Sequence, residues 1–125
     1  LTAGNHGSTY SGTHLGSRIV YTVLDLIQKE NIVENAATIG AYLVDQFRTQ
    51  LAEQNVIVRG FGMMIGIELP KDCADLVNIA RDEHKLIINV TSGNVVRLLP
   101  ALNMTHEQAD DLLKRLVPAI KNFLA

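Results

Sequence analysis

Apolar residues recur at helical intervals along the first part of the chain. Leu15, Ile19, Val23, Leu26 and Ile27 fall on one face, with Arg18, Asp25 and Lys29 left for solvent, the spacing of an amphipathic helix with a core-facing stripe. A second helix is predicted from Ile32 to Glu53, with Val33, Ala36, Ala37, Gly40, Leu43, Val44, Phe47 and Leu51 on one face. Glycine inside a helix costs about 1 kcal/mol relative to alanine, so Gly40 points to a close approach by another helix.

The period then falls to two. Val56 to Val58 reads as a short strand, and Gly60 and Gly62 follow as turn or bulge points. Between Met63 and Leu69, alternation puts Met63, Ile65, Ile67 and Leu69 on one face and Met64, Gly66 and Glu68 on the other. Pro70 has no amide to donate and ends the strand. Asp72 is placed to cap a third helix carrying Leu76, Val77 and Ala80. Leu86 to Val90 and Val95 to Leu99 form a hairpin around Thr91-Ser92-Gly93-Asn94. Thr105-His106-Glu107-Gln108 is a capping box that opens the last helix. Leu112, Leu113, Leu116, Ile120 and Phe123 face inward in it, and Pro118 is expected to kink it. Helices grouped around a small, mainly antiparallel sheet make an α/β (α+β) two-layer sandwich.

Composition narrows the class. The 125 residues, 47% hydrophobic, suffice for one domain with a real core. A net charge of −2 argues against sequence-independent nucleic-acid binding. No apolar run approaches the ~20 residues that span a bilayer. The single cysteine, Cys73, excludes an internal disulfide and suits a reducing, cytoplasmic setting. Cys73 itself reads as a passive residue beside a helix start.

Candidate chemistry is confined to two places. The opening run Gly4-Asn5-His6-Gly7-Ser8-Thr9-Tyr10-Ser11-Gly12 combines glycines with adjacent hydroxyls, a composition suited to a phosphate because its amides and hydroxyls can surround an anion. Arg97 interrupts an apolar strand on the same face as Val95 and Leu99. A guanidinium there must be paired or await an anion, and its planar fork matches a carboxylate; the alternative is an edge-strand arginine snorkelling to water. Arg59 reads as structural, paired across a hairpin with Glu68 or a carbonyl. His6 and His14 offer too few ligands for a metal, and Met63-Met64 reads as core filler. No nucleophile–base pair or Walker-type loop is present in the sequence.

Three stretches together resemble the C-terminal part of class III, fold-type I, pyridoxal-phosphate-dependent aminotransferases. They are His6-Gly7-Ser8-Thr9-Tyr10, Val58-Arg59-Gly60-Phe61-Gly62-Met63-Met64-Ile65-Gly66-Ile67-Glu68-Leu69, and Val96-Arg97-Leu98-Leu99-Pro100-Ala101-Leu102. The likeness runs to the branch that handles acetylornithine, ornithine and succinylornithine. It departs from the family at Ser11-Gly12-Thr13-His14, where Gly-Gly-Asn-Pro is usual, and at Ala101, where a second proline is common.

The resemblance implies that Thr9, with Ser8 beside it, reaches across a dimer interface to the phosphate of pyridoxal phosphate. It implies that Arg97 faces the active site, holding a substrate carboxylate or pairing with an active-site glutamate. The implied reaction moves an amino group from N-acetylornithine to 2-oxoglutarate. Residues 1–125 are then a C-terminal small domain, with 1–14 an active-site and interface loop and an upstream cofactor domain missing. Partners are that large domain and a second subunit, with no nucleic acid and no membrane. None of Lys29, Lys71, Lys85, Lys114 or Lys121 sits in the context of the family's cofactor-linked lysine, so the chain alone is expected to be inert, with no catalytic residue of its own. Two alternatives stay open: a related aminotransferase or aminomutase acting on 4-aminobutyrate or a semialdehyde, and an autonomous anion-binding module.

Overall fold

The computed structural model describes Gly7 and residues 12–125. These fall into two compact units, one ending at Ile32 and the other running from Val33 to Ala125. In the first, α1 spans His14–Lys29. Its N-cap Thr13 accepts from the Gly16 amide at 3.0 Å. The expected inner stripe is exposed: Leu15, Ile19, Val23 and Leu26 all remain open to solvent, Leu15 at 72%. Helical periodicity in the sequence correctly marked an amphipathic helix, but a stripe is buried only if a partner is present to cover it.

The second unit carries α2 (Ile32–Gln50), β1 (Ile57–Phe61), β2 (Met64–Glu68), α3 (Leu76–His84), β3 (Asn89–Thr91), β4 (Val95–Leu98) and α4 (His106–Leu124). The four strands form one sheet in the order β1-β2-β4-β3, antiparallel throughout. Element order and fold class therefore match the pattern reading. Val58, Ile67, Val96 and Val90 lie opposite one another across the sheet. With Ile65 and Leu98 they share one core with Ile39, Leu43 and Phe47 of α2, Leu76 and Ala80 of α3, and Leu112, Leu116 and Ile120 of α4. Helices cover this face of the sheet, giving two layers.

Several boundaries differ from expectation. β1 continues through Arg59 and Gly60 to Phe61, because the turn needs only Gly62 and Met63; Gly62 takes φ +53 at the first turn position, which a two-residue hairpin favours for glycine. Helix α2 stops at Gln50, and a 3₁₀ turn follows at Ala52–Gln54. Ile39 is buried in α2, whereas Val33 is 72% exposed and Ala37 is also exposed. Helix α3 starts at Leu76 behind Asp75, not at Asp72. The Cys73 amide instead donates to the Gly93 carbonyl, tying this stretch to the β3–β4 turn before winding begins. Residues 86–88 lie outside β3, which pairs only from Asn89. The capping box at Thr105 and Gln108 is formed as expected, and α4 continues through Pro118 to Leu124.

Gly40 is needed for close approach, though not to another helix. A Cβ there would stand 2.1 Å from the Gly62 carbonyl oxygen, and one at Gly60 would stand 2.6 Å from Val44 Cγ2. Helix α2 thus rests directly on the β1–β2 hairpin. Arg48 of α2 donates twice to the Val58 carbonyl, at 3.3 and 3.1 Å, which also occupies the free edge of β1. Asn35 donates to the Leu102 and Met104 carbonyls at 2.8 and 3.1 Å, fixing the segment after β4. Tyr42 of α2 donates to Asp110 of α4 at 2.5 Å and meets the His106 ring edge-on at 4.7 Å.

Two outcomes follow from these contacts. Gly40→Ala gains about 1 kcal/mol of helix propensity but collides with backbone, so a net loss of about 1–2 kcal/mol is expected in urea unfolding. The hydrogen bond to Asp110, then burial, then the Asp110 charge raise the Tyr42 pKa above its ordinary 10.0. A raised folded-state value means the bond's contribution is complete below pH 10 and is lost as pH climbs through the raised value. Unfolding followed by pH should show this alkaline loss of stability, and Tyr42→Phe should lack that part of it.

Candidate functional site

The sheet has a second face that no helix of its own unit covers. Period-two alternation places on it the row Arg59–Gly66–Arg97–Asn89, one residue from each strand, set by the registers Arg59↔Gly66, Gly66↔Arg97 and Asn89↔Arg97. The neighbouring row is Ile57–Glu68–Val95–Thr91. Toward the β1–β2 turn the face becomes apolar, with Phe61 91% and Met64 65% exposed. The Met63-Met64 pair is therefore split, Met63 in the core and Met64 on this open face.

Arg97 lies on β4, between β2 and β3. It is not an edge-strand residue, which corrects one sequence alternative. Its side chain is exposed, and among the described residues it has no hydrogen bond or ion pair. The apolar positions in β4 that do enter the core are Val96 and Leu98, one residue to each side. Arg97 lines two concavities. One, of about 390 Å³, runs between the Leu86–Asn89 segment, Pro100 and Met104. The other, of about 470 Å³, lies over the open face with Arg59, Gly66, Thr91, Val95 and Leu99.

Arg59 pairs with Glu68 across the hairpin, Nη1 to Oε2 at 2.6 Å, as the sequence reading expects. Both side chains are partly exposed, so this contact orients the guanidinium more than it stabilises the fold. Ser8 and Thr9, the expected phosphate ligands, lie outside the described residues. All five lysines of the sequence are solvent-exposed. Lys29 pairs with Asp25, Lys85 donates to the Asp82 carbonyl, and Lys71 sits 4.7 Å from the centre of the Phe123 ring. A lysine attacks a carbonyl only once it has lost its proton, which calls for a buried or otherwise perturbed setting. His106 is engaged with Tyr42, and the His84 carbonyl accepts from Arg115 at 3.2 Å. Among the described residues no group of three or more His, Cys, Asp or Glu side chains converges as metal ligands, and no helix is long and apolar enough to cross a membrane.

Sequence reasoning passed over Gly66 and Asn89 as site residues. Their place beside Arg97 depends on which strands pair, and the only signal available was Gly66 falling opposite the core-facing isoleucines in the alternation.

The family model for class-III aminotransferases matches residues 1–120. The chain belongs to this family. Acetylornithine aminotransferase of Nitrosomonas europaea is 46% identical over 123 residues, 97% of this chain and 31% of its own length. Acetylornithine aminotransferase 1 of Bordetella parapertussis is 44% identical over 124 residues, 98% of this chain and 31% of its own length. The chain thus spans about a third of the length of these class-III relatives. Among solved structures, ornithine aminotransferase from Plasmodium yoelii superposes with a TM-score of 0.85 at 28% identity, over 100% of this chain and 34% of that one. Acetylornithine aminotransferase from Elizabethkingia anophelis gives a TM-score of 0.82 at 28% identity, over 98% of this chain and 32% of that one. The class-III fold therefore accounts for the described elements.

Cys73, the one cysteine of the sequence, is fully buried. Burial, then the Asp72 charge, raises its thiol pKa, which opposes thiolate formation. Native protein should react with a thiol reagent on the order of a hundredfold more slowly than protein unfolded in urea, as followed by absorbance of the released chromophore.

Proposed function

We propose that this chain supplies the C-terminal small-domain part of a pyridoxal-phosphate-dependent aminotransferase that moves an amino group from N-acetylornithine to 2-oxoglutarate. The observation that carries this reading is Arg97, an exposed arginine without a partner among the described residues, on an inner strand of a chain 46% identical to an acetylornithine aminotransferase. Its planar fork suits a carboxylate in bidentate geometry, and the strands to either side hold its backbone in register. In this reading Arg97 binds and orients a substrate carboxylate.

Pyridoxal phosphate, when bound, supplies the electron sink that amino transfer requires. Ser8 and Thr9 would hold its phosphate through their hydroxyls, Thr9 across a homodimer interface. The exposed lysines here do not fit the role of cofactor-linked lysine, so that residue belongs to the preceding large domain and this chain alone is inactive. The setting is the cytoplasm, and the pathway is arginine biosynthesis. The resemblance to a solved ornithine aminotransferase favours ornithine as the second donor to test.

Kinetics of the complete enzyme with acetylornithine and with ornithine, each against 2-oxoglutarate, separate the two donors. Turnover with neither would refute the reading. Arg97→Lys keeps the charge but loses the fork. Catalytic efficiency toward 2-oxoglutarate should fall at least about tenfold, or about 1.4 kcal/mol, with little change in Tm. An unchanged efficiency would remove Arg97 from the substrate site.

A further inference from the structure

Strand β4 closes with Leu98, and Pro100 bars its extension because proline has no amide to give a neighbouring strand. The chain then crosses from Leu99 to the Thr105 cap of α4 without helix or strand. Leu99 and Leu102 are exposed, so burial does little to fix either. Met104 packs against the core, and its amide donates to the Ala101 carbonyl at 3.0 Å. A tie from outside the crossing comes from α2. Asn35 Nδ2 donates at 2.8 Å to the Leu102 carbonyl and at 3.1 Å to that of Met104, 67 and 69 residues further along the chain. Both hydrogens of one carboxamide are used, gripping the crossing on either side of Asn103.

The crossing is a wall as well as a connection. Leu99, Pro100 and Met104 border the concavity of about 390 Å³, and Leu99 also borders that of about 470 Å³ on the open face of the sheet. Arg97 and Leu99 line both, so these two residues form the ridge between them. Where the ridge stands depends on where residues 102 and 104 are held. Pro100, with its φ fixed, leaves the stretch between few ways to absorb a shift.

We propose that Asn35 is a positioning residue that sets the size selectivity of the substrate site: by holding the Leu102 and Met104 carbonyls it fixes Leu99 as a wall beside Arg97, and the wall disfavours donors with an acyl group bulkier than acetyl. This rests on the reading of Arg97 as the ligand of a donor's carboxylate. A donor anchored there must pass the rest of its length along Leu99, and a loosened wall gives way to extra methylenes. Asn35 itself touches no substrate. Aspartate has the same shape but, when ionised, only acceptors, which would oppose two carbonyl oxygens.

The test compares catalytic efficiencies of the complete enzyme on N-acetylornithine and on N-butyrylornithine, with 2-oxoglutarate as acceptor. Asn35→Asp is expected to narrow the preference for the acetyl donor at least about fivefold, chiefly through KM, with faster amide hydrogen exchange over residues 99–104. Leu99→Ala, a change at an exposed position, should narrow the preference too. A bracing role alone would lower Tm and leave the preference where it is. Should Asn35→Asp fail to fold, Asn35→Ala decides in its place, since alanine is the better helix former. A preference unchanged in the Asn35 variant, while Arg97→Lys still loses efficiency, overturns this proposal and spares the role of Arg97. Efficiencies unchanged in Arg97→Lys as well overturn the two together.

Discussion

The register of β2 between β1 and β4 is the constraint on which the other features depend. Side chains alternate with a period of two, so a slip of one residue would exchange the two faces of the sheet. Ile65 and Ile67 are committed to the core by their partners Leu98 and Val96 on one side and Gly60 and Val58 on the other. That same pairing leaves Glu68 and Gly66 on the opposite face, level with Val95 and Arg97. Burial of a few aliphatic side chains under the helices thus places a guanidinium in the open, with no hydrogen bond or ion pair of its own among the described residues.

The close seating of α2 enforces this register. Gly40 against Gly62 and Val44 against Gly60 let the helix axis come nearer to the hairpin than any side chain would allow. Arg48 then ties α2 to the carbonyl of Val58. At the far end of the sheet, reciprocal bonds between Leu69 and Asn94, at 2.9 and 3.0 Å, lock β2 to the β3–β4 turn. The hairpins are held at both ends by backbone contacts, and the strands between them have little freedom to shift.

Polar groups divide in the same way. Among the described residues no buried side-chain nitrogen or oxygen lacks a hydrogen-bond partner, as is usual for a well-ordered core. The unpaired cationic group on the sheet is instead at its open face. Apolar exposure is concentrated there too, at Phe61, Met64 and Leu99, and separately along α1. This chain spans about a third of the length of its class-III relatives.

Element types and their order were legible because period and punctuation are local properties. Alternation at Met63–Leu69, the turn residues Thr91–Asn94 and the capping box at Thr105 each specify their element within a few residues. The Arg59–Glu68 pair was legible for the same reason, since one hairpin brings both together. Positions set by long-range contact were not: the start of α3 depends on the bond from Cys73 to Gly93, and the partner of Gly40 is a turn 22 residues away. Sequence could mark Arg97 as a charge out of place among apolar neighbours. Only the strand order, which puts β4 inside the sheet and Gly66 between two arginines, decided what surrounds it, because that order is fixed by pairing between segments that no local pattern relates.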